Sequence, residues 1–287
     1  MRQLEMIATG ALATIQDEGR PGLAGLGVGV SGAADLRSLR LANRLVGNQP
    51  GAAGVEVTFG GLAFRSRDDI DIALTGAPTP ATVGGVPVGL NAPVRVPGGA
   101  EVRLSTPDAG VRTYLAVRGG IDVPADLGSR ATDVMSGIGP AVLTPGTALR
   151  VGDQSLAWPG VDVAAVPAPI GGDLDLRVVP GPRQDWFVDD ALEVLSSGYY
   201  EVSADSNRVG MRLTGPVLQR SRDEELPSEG VVRGSLQVPP TGQPTLFLAD
   251  HPVTGGYPVI GVVLSADVDL AAQAQPGQRL RLRPTKE

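Results

Sequence analysis

The sequence predicts a mainly β protein made of two related β-rich halves, and three observations lead there. Apolar runs of strand length, dominated by Val, Ile, Leu and Ala, recur along the 287 residues. Short runs of that composition, bounded by turn residues, suit buried strands. The 40 glycines and 25 prolines gather between those runs without forming a repeat, so they read as turns and not as disorder. Four short segments then recur in the same order, roughly 130 to 140 residues apart. Ala73-Leu74-Thr75-Gly76 resembles Arg212-Leu213-Thr214-Gly215, and Val94-Arg95-Val96-Pro97 resembles Leu236-Gln237-Val238-Pro239. Thr113-Tyr114-Leu115-Ala116 resembles Thr245-Leu246-Phe247-Leu248, and Pro145 to Val151 resembles Pro276 to Leu282. The halves join where Pro, Ala and Gly gather, Pro159 to Gly172, which sets the expected domains at 1–165 and 166–287.

In chain order, Leu4 to Ile15 reads as strand with a turn at Thr9-Gly10, followed by the polar loop Gln16-Asp17-Glu18-Gly19-Arg20-Pro21-Gly22. Leu36, Leu39, Ala42, Leu45 and Val46 recur at three and four, which predicts a helix from Ala34 to Val46. Ser31 or Asp35 suits its N-cap and Gly47 the left-handed position after its end; free amides at such a start also suit an anion. Val55 to Leu62, Ile70 to Leu74, Pro93 to Val96, Ala100 to Leu104 and Thr113 to Val117 read as strands. The last runs directly into the glycine pair of Arg118-Gly119-Gly120. A second helix is expected over Gln184 to Leu195, with Trp186 and Phe187 in the core.

Composition narrows the chemistry. The chain has no Cys, one His (His251) and one Lys (Lys286), so Cys/His metal sites, thiol nucleophiles and Schiff-base lysines are excluded and no metal centre is expected. A Walker A loop needs Gly-Lys before Ser or Thr, and none is present. A net charge of −7 without a basic cluster leaves no footprint for nucleic acid. With no apolar run of membrane-spanning length and no signal-peptide pattern at Met1 to Gly10, a cytoplasmic location is expected.

The most chemically loaded stretch is Asp250-His251-Pro252-Val253-Thr254-Gly255-Gly256-Tyr257-Pro258, set between the apolar runs Thr245 to Ala249 and Val259 to Leu264. Its glycines permit positive φ and close approach of a ligand, and Asp250, Thr254 and Tyr257 bring a carboxylate, a hydroxyl and a phenol. The same stretch also reads as a connection whose glycines serve the turn alone. In the internal alignment, Arg118-Gly119-Gly120 lies opposite it. Two such loops would suit one cleft between the halves.

Ordered motifs along nearly the whole chain resemble the KipA family, also called allophanate hydrolase subunit 2 or the PxpC subunit of ATP-dependent 5-oxoprolinase, a relative of the carboxyltransferase domain of urea carboxylase. They are Ile15-Gln16-Asp17 with Gly19-Arg20, Ser31-Gly32-Ala33 with Asp35, Leu41-Ala42-Asn43, Glu56-Val57-Thr58, Gly119-Gly120-Ile121, and Leu127-Gly128-Ser129 with Thr132. The second half continues with Ser206-Asn207-Arg208, Glu229-Gly230, Gln237-Val238-Pro239, and Asp250 with Thr254-Gly255-Gly256-Tyr257-Pro258. The resemblance implies cyclophilin-like β-barrels and a KipI-like (PxpB, allophanate hydrolase subunit 1) partner, joined in 5-oxoprolinase by a PxpA-like subunit. The chain departs from the family at Pro252-Val253, where relatives carry Gln-Thr, and at Arg118, where a small residue is common.

Three functions follow from that resemblance. The first is a subunit of a heteromeric amide- or lactam-opening hydrolase, in which ATP is used by the assembly. Asp250 or Glu229 would carry the proton and backbone amides around Gly255-Gly256 and Gly119-Gly120 would hold the oxyanion. Arg118 or Arg20 would hold a substrate carboxylate, with Thr254, Tyr257, Gln237, Gln16, Asp17, Ser31 and Asn43 as further contacts. The second is a carboxyltransferase half-site for urea or a similar amide, using biotin carried by another chain. The third is a regulatory protein that binds a KipI-like kinase inhibitor. His251 has no catalytic part in any of them.

Overall fold

The strands of the N-terminal half change sheet where the sequence places glycine. Gln3–Thr9 and Leu12–Gln16 are parted at Gly10, and Gly54–Thr58 and Leu62–Ser66 are parted at Phe59-Gly60-Gly61. Gly10 (φ 63°), Phe59 (φ 57°), Gly60 (φ 68°) and Gly61 (φ 79°) all take the left-handed conformation, and a Cβ on Gly10 would overlap the Gly60 carbonyl. The two corners therefore cross at glycine because no side chain fits between them. The single strand expected over Val55 to Leu62 is for this reason two strands in two sheets.

The structure, a computed structural model, describes residues 2–169 and 171–285; Lys286 lies outside them. The chain divides into two units, Met1–Arg20 with Ser31–Ile170, and Pro21–Val30 with Gly171–Glu287. The division thus falls five residues later than the expected 165/166 boundary, and Pro21–Val30 groups with the second unit.

In the first unit the six-stranded sheet runs Ala148–Arg150, Gln3–Thr9, Leu62–Ser66, Glu101–Leu104, Ala81–Val83, Val86–Val88. The five-stranded sheet runs Leu12–Gln16, Gly54–Thr58, Arg112–Val117, Ile70–Gly76, Pro93–Val96. Leu4, Met6 and Phe64 of the first share one core with Ile15, Val55, Ile72 and Leu115 of the second. Helix Leu36–Leu45 lies on the far side of the five-stranded sheet, burying Leu39, Ala42 and Leu45 against Ala73, Tyr114 and Ala116. Asp35 caps it, accepting from Ser38 N–H at 3.0 Å and Ser38 Oγ at 2.6 Å. Of the two expected caps, the aspartate is the one used.

The second unit closes into a barrel in the order Leu174–Pro180, Val259–Val263, Ser235–Gln237, Thr245–Phe247, Gly210–Thr214, Tyr200–Val202, Arg279–Pro284. Arg279–Pro284 closes it by pairing in parallel with Leu174–Pro180. Leu176, Leu213, Leu236, Leu246, Ile260 and Leu282 fill its core. Closure into a barrel is confined to this unit; the first keeps two separate sheets. The helix expected over Gln184 to Leu195 is broken into a 3-10 turn, Gln184–Trp186, and a helix, Ala191–Ser197. Phe187 turns extended between them to bridge Arg220, so tertiary pairing overrides the local apolar period. Trp186 and Phe187 are buried in the core, as expected. Helix Ser265–Ala271 was not expected; Asp267 in its first turn ties it to the strand at Arg177.

Candidate functional site

In the second unit, a two-residue antiparallel ribbon pairs Glu229 with Gly255 and Gly230 with Thr254. Beside it, Gln237 Nε2 donates to the Tyr257 carbonyl at 3.2 Å. The ribbon brings together residues that lie 20 or more positions apart in the sequence, while Thr254 and Tyr257 stay exposed. Glu229 is held by a residue the sequence reading missed: Arg183 Nε donates to Glu229 Oε2 at 2.9 Å, and Arg183 Nη2 donates to Glu229 Oε1. Both side chains are about one-third exposed, so the pair exchanges with solvent or ligand at modest cost. A cavity of about 100 Å³ opens there, lined by Pro182, Glu229, Gly255, Tyr257 and Val259. Arg183 ends the turn Pro180-Gly181-Pro182-Arg183, and a lone guanidinium in a proline–glycine turn after a strand was the available signal.

The glycines of this loop act differently from the expectation. Neither Gly255 nor Gly256 takes a positive φ. A Cβ on Gly255 would instead overlap Gln237 Nε2, so its lack of a side chain admits the Gln237 amide. Gly256 meets only ordinary contacts, and nothing in the fold requires glycine there.

Asp250 stands apart from this group in role. Its carboxylate accepts from Arg208 Nε and Nη2, both at 2.9 Å, and both side chains are almost fully buried. A carboxylate so engaged and closed off from water is a poor proton carrier; the geometry makes Asp250 a positioning residue for the loop that follows it. His251 stacks on Phe247, with ring centroids 6.1 Å apart. Its Nδ1 lies 2.7 Å from the Pro252 carbonyl, which can only accept, so Nδ1 carries the proton and the ring is a structural wedge.

In the first unit, Gln16, Asp17, Arg20 and Ser31 converge on Ser129 to Thr132, more than 90 residues away in the sequence. Gln16 Nε2 donates to the Thr132 carbonyl at 2.9 Å, and Ser31 Oγ to the same oxygen at 3.4 Å. Arg20 Nη2 donates to the Ala131 carbonyl at 2.5 Å. Asp17 clamps the segment by accepting from Ser129 Oγ and Arg130 N–H, each at 2.6 Å, and from Gly19 N–H at 2.8 Å. Ser31 takes φ 54° beside Gly32, a strained conformation that the packed loop crossing enforces.

Arg118, Gly119, Gly120 and Asn43 form a third group. Arg118 donates to the carbonyls of Val46 at 2.7 Å and Leu156 at 2.8 Å and lies over the Trp158 ring at 4.3 Å. It closes the C-terminus of helix Leu36–Leu45, where a cation suits the exposed carbonyls, and is not held ready for a carboxylate. Asn43 Oδ1 accepts from Asn48, whose own Oδ1 accepts from Gly119 N–H at 2.8 Å. Asn43 therefore acts through Asn48 on the turn. Here both glycines do take positive φ, 102° and 75°. The turn borders a groove of about 500 Å³ lined by Asp122, Arg130, Arg150 and Gly152.

The family model described as carboxyltransferase domain, subdomain A and B, matches residues 26–284. The chain belongs to this family. It is 37% identical over 280 residues to the C subunit of the 5-oxoprolinase of Escherichia coli (strain K12), covering 96% of this chain and 89% of that protein. Among solved structures it superposes on TTHA0988 with a TM-score of 0.89 at 33% identity, covering 98% of this chain and 55% of that one. It also superposes on the K. lactis urea amidolyase with a TM-score of 0.91 at 29% identity, covering 98% of this chain and 18% of that enzyme. The chain thus spans about half of the first solved relative and less than a fifth of the second. Among the described residues, no helix is long and apolar enough to cross a membrane, and no group of His, Cys, Asp and Glu is arranged to hold a metal ion.

Proposed function

We propose that this chain is the C-type subunit of a heteromeric, ATP-dependent hydrolase that opens a small lactam or amide, working with a KipI/PxpB-like partner and a PxpA-like subunit. The observation that carries the reading is the ribbon that sets Glu229 against Gly255, with Arg183, Gln237 and Tyr257 around it. Opening an amide requires donors for the developing oxyanion and a proton for the leaving nitrogen. Tyr257 and Thr254 supply exposed hydroxyl donors, and Glu229 is the exchangeable carboxylate. Arg183, once it releases Glu229, offers a paired-donor fork to a substrate carboxylate. The similarity to the C subunit of the E. coli 5-oxoprolinase supports 5-oxoproline as the substrate to try first. ATP is assigned to the assembly, because this chain has no Walker A loop of its own.

The test is ATP-dependent formation of glutamate from 5-oxoproline by the chain with its copurifying partners, each omitted in turn. Turnover lost on omission of this chain supports the reading. No turnover with all partners folded and bound overturns it. The similarity to urea amidolyase favours one second reading, a carboxyltransferase half-site acting on urea or a similar amide with biotin carried by another chain. Carboxylation of urea that depends on a biotinylated carrier would select it.

A further inference from the structure

The cavity beside the ribbon is polar at its rim and apolar at its floor, and a strand irregularity builds that floor. Ser235 lies opposite Val262 and Gln237 opposite Val259, so three residues of one strand face four of the other. This β-bulge turns Val259 and Val262 to the same side of the sheet. Leu236, Ile260 and Val263 fill the barrel core. Val259 instead joins Val231 and Phe247 in a separate apolar cluster, with Val262 packed against them. Val231, Val259 and Val262 line the cavity together with Ser235, while Glu229 and Tyr257 stand at its rim.

Ser235 adds a hydroxyl to that floor. It is 2% exposed, and its Oγ accepts from Val232 N–H at 3.2 Å. Among the described residues it donates to no acceptor. A buried O–H without an acceptor costs free energy that a ligand oxygen recovers. The cavity is also small, about 100 Å³. Since a cavity of about 150 Å³ holds benzene, about four non-hydrogen atoms fit here. Urea matches that size, but it has no C–H carbon to cover the valines, and its amide groups would lie against them without partners. The edge of an aliphatic lactam ring, with neighbouring methylenes and a carbonyl, matches both the size and the lining.

We infer that this cavity takes the ring edge of a five-membered lactam, with the ring methylenes on Val231, Val259 and Val262 and the carbonyl oxygen accepting from Ser235 Oγ. The ring nitrogen and the carboxylate then stay at the rim, beside Glu229 and the Arg183 paired with it. Ser235 is thus a substrate-binding residue, and the valines set the largest ring admitted. The inference rests on the hydrolase reading and deepens it, because it assigns the residues that select the substrate.

The experiment measures ATP-dependent ring opening by the reconstituted assembly on 5-oxoproline and on its six-membered homologue, 6-oxopiperidine-2-carboxylate. The extra methylene should lower kcat/KM for the homologue about ten- to a hundredfold. Val262→Ala enlarges the floor and should narrow that ratio about tenfold, a change in preference that general loosening of the fold does not produce. Ser235→Ala should lower kcat/KM for 5-oxoproline about tenfold. Equal kcat/KM for the two rings, a ratio unmoved by Val262→Ala, or wild-type kcat/KM in Ser235→Ala overturns the inference while the hydrolase reading stands. No turnover of either lactam, with all partners folded and bound, overturns the hydrolase reading and this inference with it.

Discussion

Arg208 and Asp250 form a forked, buried ion pair with both arms at 2.9 Å. Breaking such a pair leaves an uncompensated charge in a medium that solvates it poorly. Asp250→Asn and Arg208→Met should each destabilise the second unit by about 3 to 5 kcal/mol. Urea unfolding measures this. Turnover per folded molecule should stay near wild type, since the pair sets the loop and does not meet substrate. Full stability with abolished turnover would restore Asp250 as the proton carrier.

Glu229 makes the opposite prediction. Its pair with Arg183 is partly exposed, and exposed pairs contribute roughly 0 to 1 kcal/mol. Glu229→Gln should therefore leave the melting temperature nearly unchanged. It should lower turnover by the reconstituted assembly about a hundredfold, the usual scale for losing a proton-transfer group. Turnover within a factor of about two of wild type would remove Glu229 from the chemistry.

Gly255 and Gln237 form a testable couple. Gly255→Ala drives the new Cβ into Gln237 Nε2, the far end of a side chain that can swing away. The cost is the Gln237 bond to the Tyr257 carbonyl, about 1 kcal/mol. In Gln237→Ala the obstacle is absent, so Gly255→Ala should add nothing further. A double-mutant cycle reads the difference directly, and strict additivity would show that the glycine serves only the backbone.

Much of the fold was legible because strands and turns are written locally. The matched segments Ala73 to Gly76 and Thr113 to Ala116 pair with each other, as do Arg212 and Met211 with Thr245 and Leu246. The match of Val94 to Pro97 with Leu236 to Pro239 carries no such register. Pro93–Val96 pairs with Ile70–Gly76, whereas Ser235–Gln237 pairs with Thr245–Phe247 and Val259–Val263. A short apolar match specifies strand but not neighbour. The site was legible in residue type and not in role. Asp250 and Glu229 look alike in sequence, and each meets an arginine fork with Nε at 2.9 Å; only the degree of burial separates them. Arg183 and the Ser129 to Thr132 segment were invisible as partners because their contacts come from remote parts of the chain.

Asp267 gives the last prediction, and its sign follows from its surroundings. Burial by itself would raise its pKa. The side-chain and backbone hydrogen bonds from Arg177, at 2.7 to 2.9 Å, with the guanidinium charge, outweigh that and hold the carboxyl below its ordinary value of 3.8. A depressed folded pKa contributes stability that is present above the unfolded value and lost as pH falls through the folded one. At pH 7, Asp267→Asn should cost about 2 kcal/mol, the scale of hydrogen bonds to a charged group. The gap between wild type and variant should hold down to roughly pH 5 and close as the pH drops below that, because protonated aspartate and asparagine are near isosteres. Taking the difference between the two proteins cancels the other carboxylates that titrate in the same range. Urea unfolding of both at pH 7, 5 and about 3 measures it; a gap that stays constant to the lowest pH would mean that Asp267 is not held as the ionised partner of Arg177.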